Sequence, residues 1–347
     1  MTNIVIVNDG IILFVVAALV VYKLKSAMTT TNCCAECGEG GGVSLKTCKA
    51  CMLVKYCDTS CQHKHWPRHK AACKLRAAEL RDEALFKDTP PKEDCPICFL
   101  PMPKKLINCI TLPPATVSSV PIYDFAMANQ GLKDEDMEVY YPCCGKIICG
   151  GCIHSCRESG NTERCPFCNS EGGKTDEERV EQIMKRVAAN DAASISLLAN
   201  SYHHELNGFQ QDQTKAIELY ARAAELGCSK AHYNLGNIYH EGGDKKKAKF
   251  HDETAAMAGH EGARYNLGVM DDNPGNIERA GKHWTIAASA GHYEAMQHLL
   301  TLCFEKGHVS RESIDSTLAA YNASCAEMRS EARDAYIRMY TSNIGAE

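Results

Sequence analysis

Eight residues between positions 34 and 73 have the types and spacing of metal ligands: Cys34 and Cys37, Cys48 and Cys51, Cys57 and Cys61, then His69 and Cys73. Thiolate sulfur and imidazole nitrogen are the donors that tetrahedral zinc takes, and short C-x2-C or H-x3-C bites let two of them reach one ion. Eight donors fill two four-coordinate sites and leave no open position for a reactive water. The chemistry is therefore structural: bound metal supplies folding energy that forty residues cannot draw from a core.

A second set of candidates follows. Cys95-Pro-Ile-Cys98 opens it, Cys165-Pro-Phe-Cys168 closes it, and Cys149 and Cys152 lie between. The stretch YPCCGKIICGGC, residues 141–152, adds the adjacent pair Cys143 and Cys144. Adjacent cysteines reach one metal only if the backbone turns sharply, which Gly145 permits. His154, Cys156 and Cys109 are the competing donors for that site. Lys146 is not one, because an ammonium has no free lone pair.

Of 21 cysteines, 18 fall between Cys33 and Cys168, and only Cys228, Cys303 and Cys325 lie beyond. Repeated C-x2-C pairs in so dense a cluster indicate zinc in a reducing compartment rather than a disulfide framework. The expected location is cytoplasmic or cytosol-facing. The formal charge of −5 becomes more negative once the cysteines ligate as thiolates, which argues against nucleic acid as a partner. Lys64, Arg68, Lys70 and Lys74 read as a solvated face.

The spacing over residues 34–73, with the ending YCDTSCQHKHWPRHKAACK, closely resembles the MYND finger. That resemblance implies one zinc on Cys34, Cys37, Cys57 and Cys61 and another on Cys48, Cys51, His69 and Cys73. It also implies protein binding, with proline-containing peptides taken in a groove whose positions correspond to Gln62 and Trp66. The competing role for Trp66 is to cover the small core. Cys33, His63 and His65 are out of register and read as spectators. MYND fingers also occur in lysine methyltransferases, but nothing after residue 74 resembles the SET domain those enzymes need.

CPIC and CPFC resemble the first and last ligand pairs of a RING domain. The resemblance implies one zinc on Cys95, Cys98, Cys149 and Cys152, and a second on Cys165 and Cys168 with two donors from the segment before Cys149. The all-cysteine variant supplies these as Cys143 and Cys144. Four zinc ions are expected in all. By the same resemblance Ile97, Ile153 and Pro166 take the places that dock a ubiquitin-conjugating enzyme. Two departures stand against it: 44 residues separate Cys98 from Cys143, and Asn169 replaces the basic residue that often follows the last cysteine.

These sites need elements to hold them. Residues 74–88, KLRAAELRDEALFKD, are dense in helix formers, and TPPK at 89–92 stops them, so 74–92 reads as a helical spacer and linker. Prolines up to Pro121, Pro113 and Pro114 among them, break the long loop after Cys98, and GLKDEDMEVYY follows as a polar run. Thr175 with Glu178 three residues on forms a capping box. Then a period of 32 emerges: Ala216, Ala248 and Ala280; Gly227, Gly259 and Gly291; Ala231, Ala263 and Ala295. Such a period means a solenoid of helix pairs, with small residues where helices approach closely. The pattern A-x3-LG-x2-Y followed by KA-x6-AA-x2-G resembles the Sel1-like repeat, a relative of the tetratricopeptide array. It implies a scaffold with a protein-binding concave surface. It reads from Ala193 to about Gly307, with one capping helix from about Ser310 to Tyr340. Trp284 is expected in the core.

Residues 4–22 are mostly apolar and precede Lys23 and Lys25, but the clean run Ile11–Tyr22 spans only about 18 Å of a ~30 Å hydrocarbon core. Residues 1–27 therefore read as either a single membrane anchor with cytosolic lysines or translation upstream of Met28. The expected fold is multidomain: two small zinc-stabilised α+β domains, a MYND finger (34–73) and a RING-like domain (93–170), then an all-α Sel1/TPR-like solenoid (175–345). No catalytic constellation is found. The function expected is a zinc-binding protein–protein adaptor, the alternative a RING-type ubiquitin ligase whose flanking modules recruit substrates.

Overall fold

The computed structural model describes residues 33–40, 44–102, 138–161, 164–171, 175–304 and 307–344. The apolar run at 4–22, Cys109, Pro113 and Pro114 lie outside them. Among the described residues no helix is long and apolar enough to cross a membrane. The chain divides into two compact units, Met1–Leu85 and Phe86–Glu347.

In the first unit, β1 (Lys46–Thr47) pairs antiparallel with β2 (Lys55–Tyr56), with Lys46 opposite Tyr56. Helix α1 (Thr59–Leu85) follows, and Asp58 Oδ1 accepts the Cys61 amide at 2.7 Å to cap its start. The sequence places a helical spacer from residue 74. The structure instead continues the finger's own helix without a break from Thr59 to Leu85, even though Pro67 lies inside it. The buried core of this unit is Cys34, Cys48, Cys51, Tyr56 and Cys73, small enough that cysteine sulfurs make up most of it.

In the second unit, β3 (Glu138–Tyr141) pairs antiparallel with β4 (Lys146–Cys149), Val139 opposite Ile148, and β4 runs into α2 (Gly150–Glu158). Strand β3 arises from the end of the run read as polar loop. Helix α3 (Asp176–Ala188) starts at Thr175, whose Oγ1 accepts the Glu178 amide at 3.3 Å.

Paired helices follow: α4 (Ala192–His204) with α5 (Gln213–Glu225), α6 (Ser229–Glu241) with α7 (Lys245–Met257), and α8 (Glu261–Asp271) with α9 (Ile277–Ser289). Helix α10 (Tyr293–Phe304) packs on α9, and α11 (Arg311–Glu327) and α12 (Glu331–Ile344) complete the array. The side-chain oxygens of Asp191, Asp212 and Asp244 cap α4, α5 and α7.

The period of 32 has a physical content. Ala216, Ala248 and Ala280 are fully buried, as are Ala231, Ala263 and Ala295. Gly227, Gly259 and Gly291 all turn corners in the left-handed region, at φ +90, +87 and +94. A further register holds Tyr220, Asp252 and Trp284, all buried. Trp284 lies so close over Gly268 that a Cβ there would meet its Nε1 at 2.3 Å, and Asp252 lies over Gly236 in the same way, at 2.6 Å. Gly268→Ala is therefore expected to cost about 1–3 kcal/mol by overpacking, read as a lower denaturant midpoint than wild type.

The single capping helix expected over 310–340 is two helices. The chain breaks at Met328–Ser330, where the Ser330 hydroxyl accepts the Arg333 amide at 3.3 Å and starts α12. That helix packs against α2 of the cysteine-rich module. Gly150 and Gly151 make room for it, since a Cβ would lie 2.4 Å from the Tyr336 ring or 2.6 Å from Arg333. At the other end of the array, Tyr140 and Ser194 hydroxyls are 2.6 Å apart, and Arg186 donates to the carbonyls of Pro142 at 3.0 Å and Cys143 at 3.2 Å. The module thus touches both the first helices of the solenoid and the last.

Candidate metal centres

Four clusters of potential ligands occur among the described residues: Cys34, Cys37, Cys57 and Cys61; Cys48, Cys51, His69 and Cys73; Cys95, Cys98, Cys149 and Cys152; Cys143, Cys144, Cys165 and Cys168. In each, the donor atoms all lie within 4.8 Å of one another.

In the first unit, the β1–β2 turn supplies Cys48 and Cys51, while α1 supplies Cys61, His69 and Cys73. His69 and Cys73 are four apart and share a helix face. In the second unit, Cys95 and Cys98 sit on a tight turn, with Phe99 amide to Cys95 carbonyl at 2.9 Å. Cys165 and Cys168 repeat that turn, with Asn169 amide to Cys165 carbonyl at 2.9 Å. Cys149 and Cys152 straddle the β4–α2 junction. Cys143 and Cys144 occupy the turn between β3 and β4, where Gly145 takes φ +69.

The distances fit zinc. Four bonds of ~2.3 Å arranged tetrahedrally put neighbouring sulfurs about 3.8 Å apart. The observed pairs are Cys34–Cys57 at 3.7 Å, Cys37–Cys57 at 3.7 Å, Cys57–Cys61 at 3.5 Å and Cys48–Cys73 at 3.8 Å. In the second unit they are Cys95–Cys152 at 3.8 Å, Cys98–Cys149 at 3.9 Å, Cys144–Cys165 at 3.8 Å and Cys143–Cys168 at 3.6 Å. A disulfide would need ~2.05 Å, and these cysteines are free. His69 presents Nε2 to Cys51 Sγ at 3.3 Å. Burial, and then the neighbouring His65, lower its pKa, which keeps the imidazole neutral as a ligand must be. Each cluster is thus able to hold one zinc ion, four in total.

The other candidates among the described residues fall outside the clusters. His65 stacks on His69 with ring centroids 5.4 Å apart, and its Nδ1 lies 2.8 Å from the Tyr56 hydroxyl. Lys146 is exposed and stands 5.7 Å from the Phe167 ring centroid, a cation–π contact. Neither His154 nor Cys156 joins the fourth cluster. In native mass spectrometry, Cys143→Ser is accordingly expected to lose one zinc and Cys156→Ser none.

Of the residues considered for partner contact, Trp66 is 39 % exposed, one turn along α1 from half-buried Gln62. Ile97 and Pro166 are half-buried, but Ile153 is only 4 % exposed and belongs to the module's core with Met102 and Ile148.

Arg333 of α12 is a participant that sequence reasoning missed. It is fully buried. Its Nε reaches Cys149 Sγ and its Nη2 reaches Cys98 Sγ, both at 3.4 Å. Nη1 donates to the carbonyls of Pro101 at 2.8 Å and Met328 at 2.6 Å, and Nη2 to that of Leu100 at 3.3 Å. A zinc with four thiolates carries a net −2, so a guanidinium on two of its sulfurs offsets part of that charge. The available signal was the pair Gly150-Gly151, which marks a close approach without naming what approaches.

Comparison with known proteins finds the finger and the repeats. The MYND finger model matches residues 34–73, and the Sel1 repeat model matches 192–228, 229–260 and 262–292. Among solved structures, the chain is similar to a protective antigen from uropathogenic Escherichia coli strains displaying an SLR fold. The identity is 19%, covering 56% of this chain and 44% of that one, with a TM-score of 0.37. It is also similar to a Sel1 repeat protein from Oxalobacter formigenes at 20% identity, covering 52% of this chain and 72% of that one, with a TM-score of 0.39. The chain thus spans less than half the length of the first of these. A MYND finger, a RING-like cysteine module and Sel1 repeats therefore lie on one chain, and the finger and the repeats are modules of the protein-interaction kind.

Proposed function

We propose that the chain is a zinc-dependent adaptor whose finger and helical array hold different protein partners, the RING-like module serving as a structural part of the array. The observation that carries this reading is closure: every candidate centre has four protein donors and none has an open position for chemistry. We infer that the sixteen clustered residues are the ligands, and that Gln62 and exposed Trp66 line a peptide groove on the finger.

The test is comparative capture with the full chain as bait. Cys57→Ser, which breaks a finger centre, is expected to remove one set of partners and leave those of the array. Loss of all partners together, or of none, sinks the adaptor reading.

Ubiquitin ligation is the second reading, favoured by cysteine pairs that cross-brace, pair one with pair three, and by the accessible edges of Ile97 and Pro166. It is weakened by the burial of Ile153. Discharge of charged conjugating enzymes by the zinc-loaded full chain, abolished by Ile97→Ala, would establish it over the adaptor.

A further inference from the structure

Residues 89–92, Thr-Pro-Pro-Lys, run across the corners of two successive repeats. Pro90 rests on Gly259: a Cβ there would lie 3.1 Å from the proline Cγ. The glycine that the left-handed corner requires is therefore also the seat of the proline ring. One repeat further on, Lys92 Nζ donates to the Ala290 carbonyl at 2.6 Å and lies 3.3 Å from Ser324 Oγ. Ala290 caps the C-terminus of α9, and Ser324 lies in the last turn of α11. The ammonium thus sits on the C-terminal carbonyl of α9, the negative pole of that helix's dipole, and against side chains at the end of α11, Met328 Sδ at 3.2 Å among them.

The segment is held and yet removable. Lys92 is half-buried, whereas Thr89, Pro90 and Pro91 remain exposed on their outer side. A cavity of about 550 Å³ stays open beside them, walled in part by Glu261, Arg264 and Glu327. A proline pair is already extended, so little backbone freedom is lost when it docks.

We propose that these corners form a binding groove for extended Pro-Pro-Lys segments and that Thr89–Lys92 occupies it in cis, so a partner's segment enters by displacing the chain's own. Tethering gives the internal segment an effective concentration on the order of millimolar, which masks the groove without sealing it. This rests on reading the repeats as a protein-binding surface and goes further by naming what that surface takes.

The test is fluorescence anisotropy with a labelled peptide of sequence KDTPPKED, the chain's own residues 87–94, against the zinc-loaded full chain. Lys92→Ala, which frees the lysine seat, is expected to bind the peptide at least about tenfold more tightly than wild type. Adding Ser324→Arg to that variant places a second cation at the seat and is expected to abolish the gain, as is replacing the peptide's lysine by alanine. Equal affinity of wild type and Lys92→Ala overturns the proposal, as does a gain that survives Ser324→Arg. Peptide bound by the MYND finger would show as equal affinity in all three chains. Should Lys92→Ala misfold, acylation footprinting of wild type decides: excess peptide is expected to raise Lys92 labelling severalfold, and unchanged labelling overturns the groove. Distinct partners captured by the full chain, with no peptide bound here, would sink this groove and leave the adaptor standing.

Discussion

Arg333→Ala is expected to weaken zinc at the Cys95, Cys98, Cys149 and Cys152 centre by about 10- to 100-fold, the usual effect of removing a group that hydrogen-bonds the ligands. Competition against a chromophoric chelator would measure it, the other three centres acting as internal controls. The fold should suffer as well. Removing the guanidinium takes the Arg333 donors from the carbonyls of Pro101 and Met328, leaves that of Leu100 with only the Cys95 amide, and leaves two ligand sulfurs without their cation. Truncating one side of such a buried charged contact costs on the order of 3–5 kcal/mol. Arg333→Lys should rescue little, because one ammonium cannot span the two sulfurs and the carbonyls that the planar fork reaches together. Unchanged zinc affinity in Arg333→Ala would mean that the arginine only fills space.

Asp252→Asn is expected to stabilise the chain. Asp252 stands in the register where the flanking repeats carry Tyr220 and Trp284, and it is fully buried. Neither of its oxygens has a hydrogen-bond partner among the described residues. Asn266, the polar neighbour that slightly favours its charged form, donates instead to Asn237 at 3.0 Å. Burial raises the carboxyl pKa from 3.8 to about 7. A carboxyl raised on folding binds its proton more tightly in the native state than in the unfolded one. Its contribution is therefore most favourable below pH 4 and is lost as pH climbs toward 7. Above that the charged form costs on the order of 4 kcal/mol, at ~1.4 kcal/mol for each pKa unit. The gain in Asp252→Asn over wild type should accordingly grow between pH 5.5 and 7 and level off beyond. Taking the difference between the two proteins at each pH cancels the titration of the zinc thiolates, which both share. A gain that does not change with pH over that range would show that the carboxyl is already charged in the folded protein, as it is in the unfolded chain, and that burial has not raised its pKa.

How far the sequence discloses these features depends on the range over which the physics acts. Ligand pairs are local: a two-residue bite must serve one metal, so Cys34-Cys37 or Cys165-Cys168 can be read without knowing the fold. Cys143 and Cys144 could be read because Gly145 follows them. The array was legible because Ala and Gly recur every 32 residues wherever two helices close up. Arg333 was not legible, since 235 residues separate it from the Cys98 sulfur it touches and nothing near it in sequence differs from a solvated helix. Asp252 looks like any polar residue on a helix face, and only aligning it with Tyr220 and Trp284 shows that it faces inward. Strand β3 was hidden by the acidic residues before it, although Val139, Tyr140 and Tyr141 have the β-forming types. The break at Ser330 was missed because Ser in a long helical pattern signals a cap only when the helix before it has already ended.

The contacts of the cysteine-rich module with α3 and α4 at one end of the array and α12 at the other also bear on how this protein can change over generations. Open solenoids gain and lose repeats readily, because each unit meets only its neighbours. Here a belt is fastened by its own buckle. Adding or deleting 32 residues would rotate and shift α12 until Arg333 and Tyr336 missed Gly150 and Gly151. The number of repeats is therefore locked to the dimensions of the module, and variation should instead collect in loops whose length leaves the two fastened ends in place.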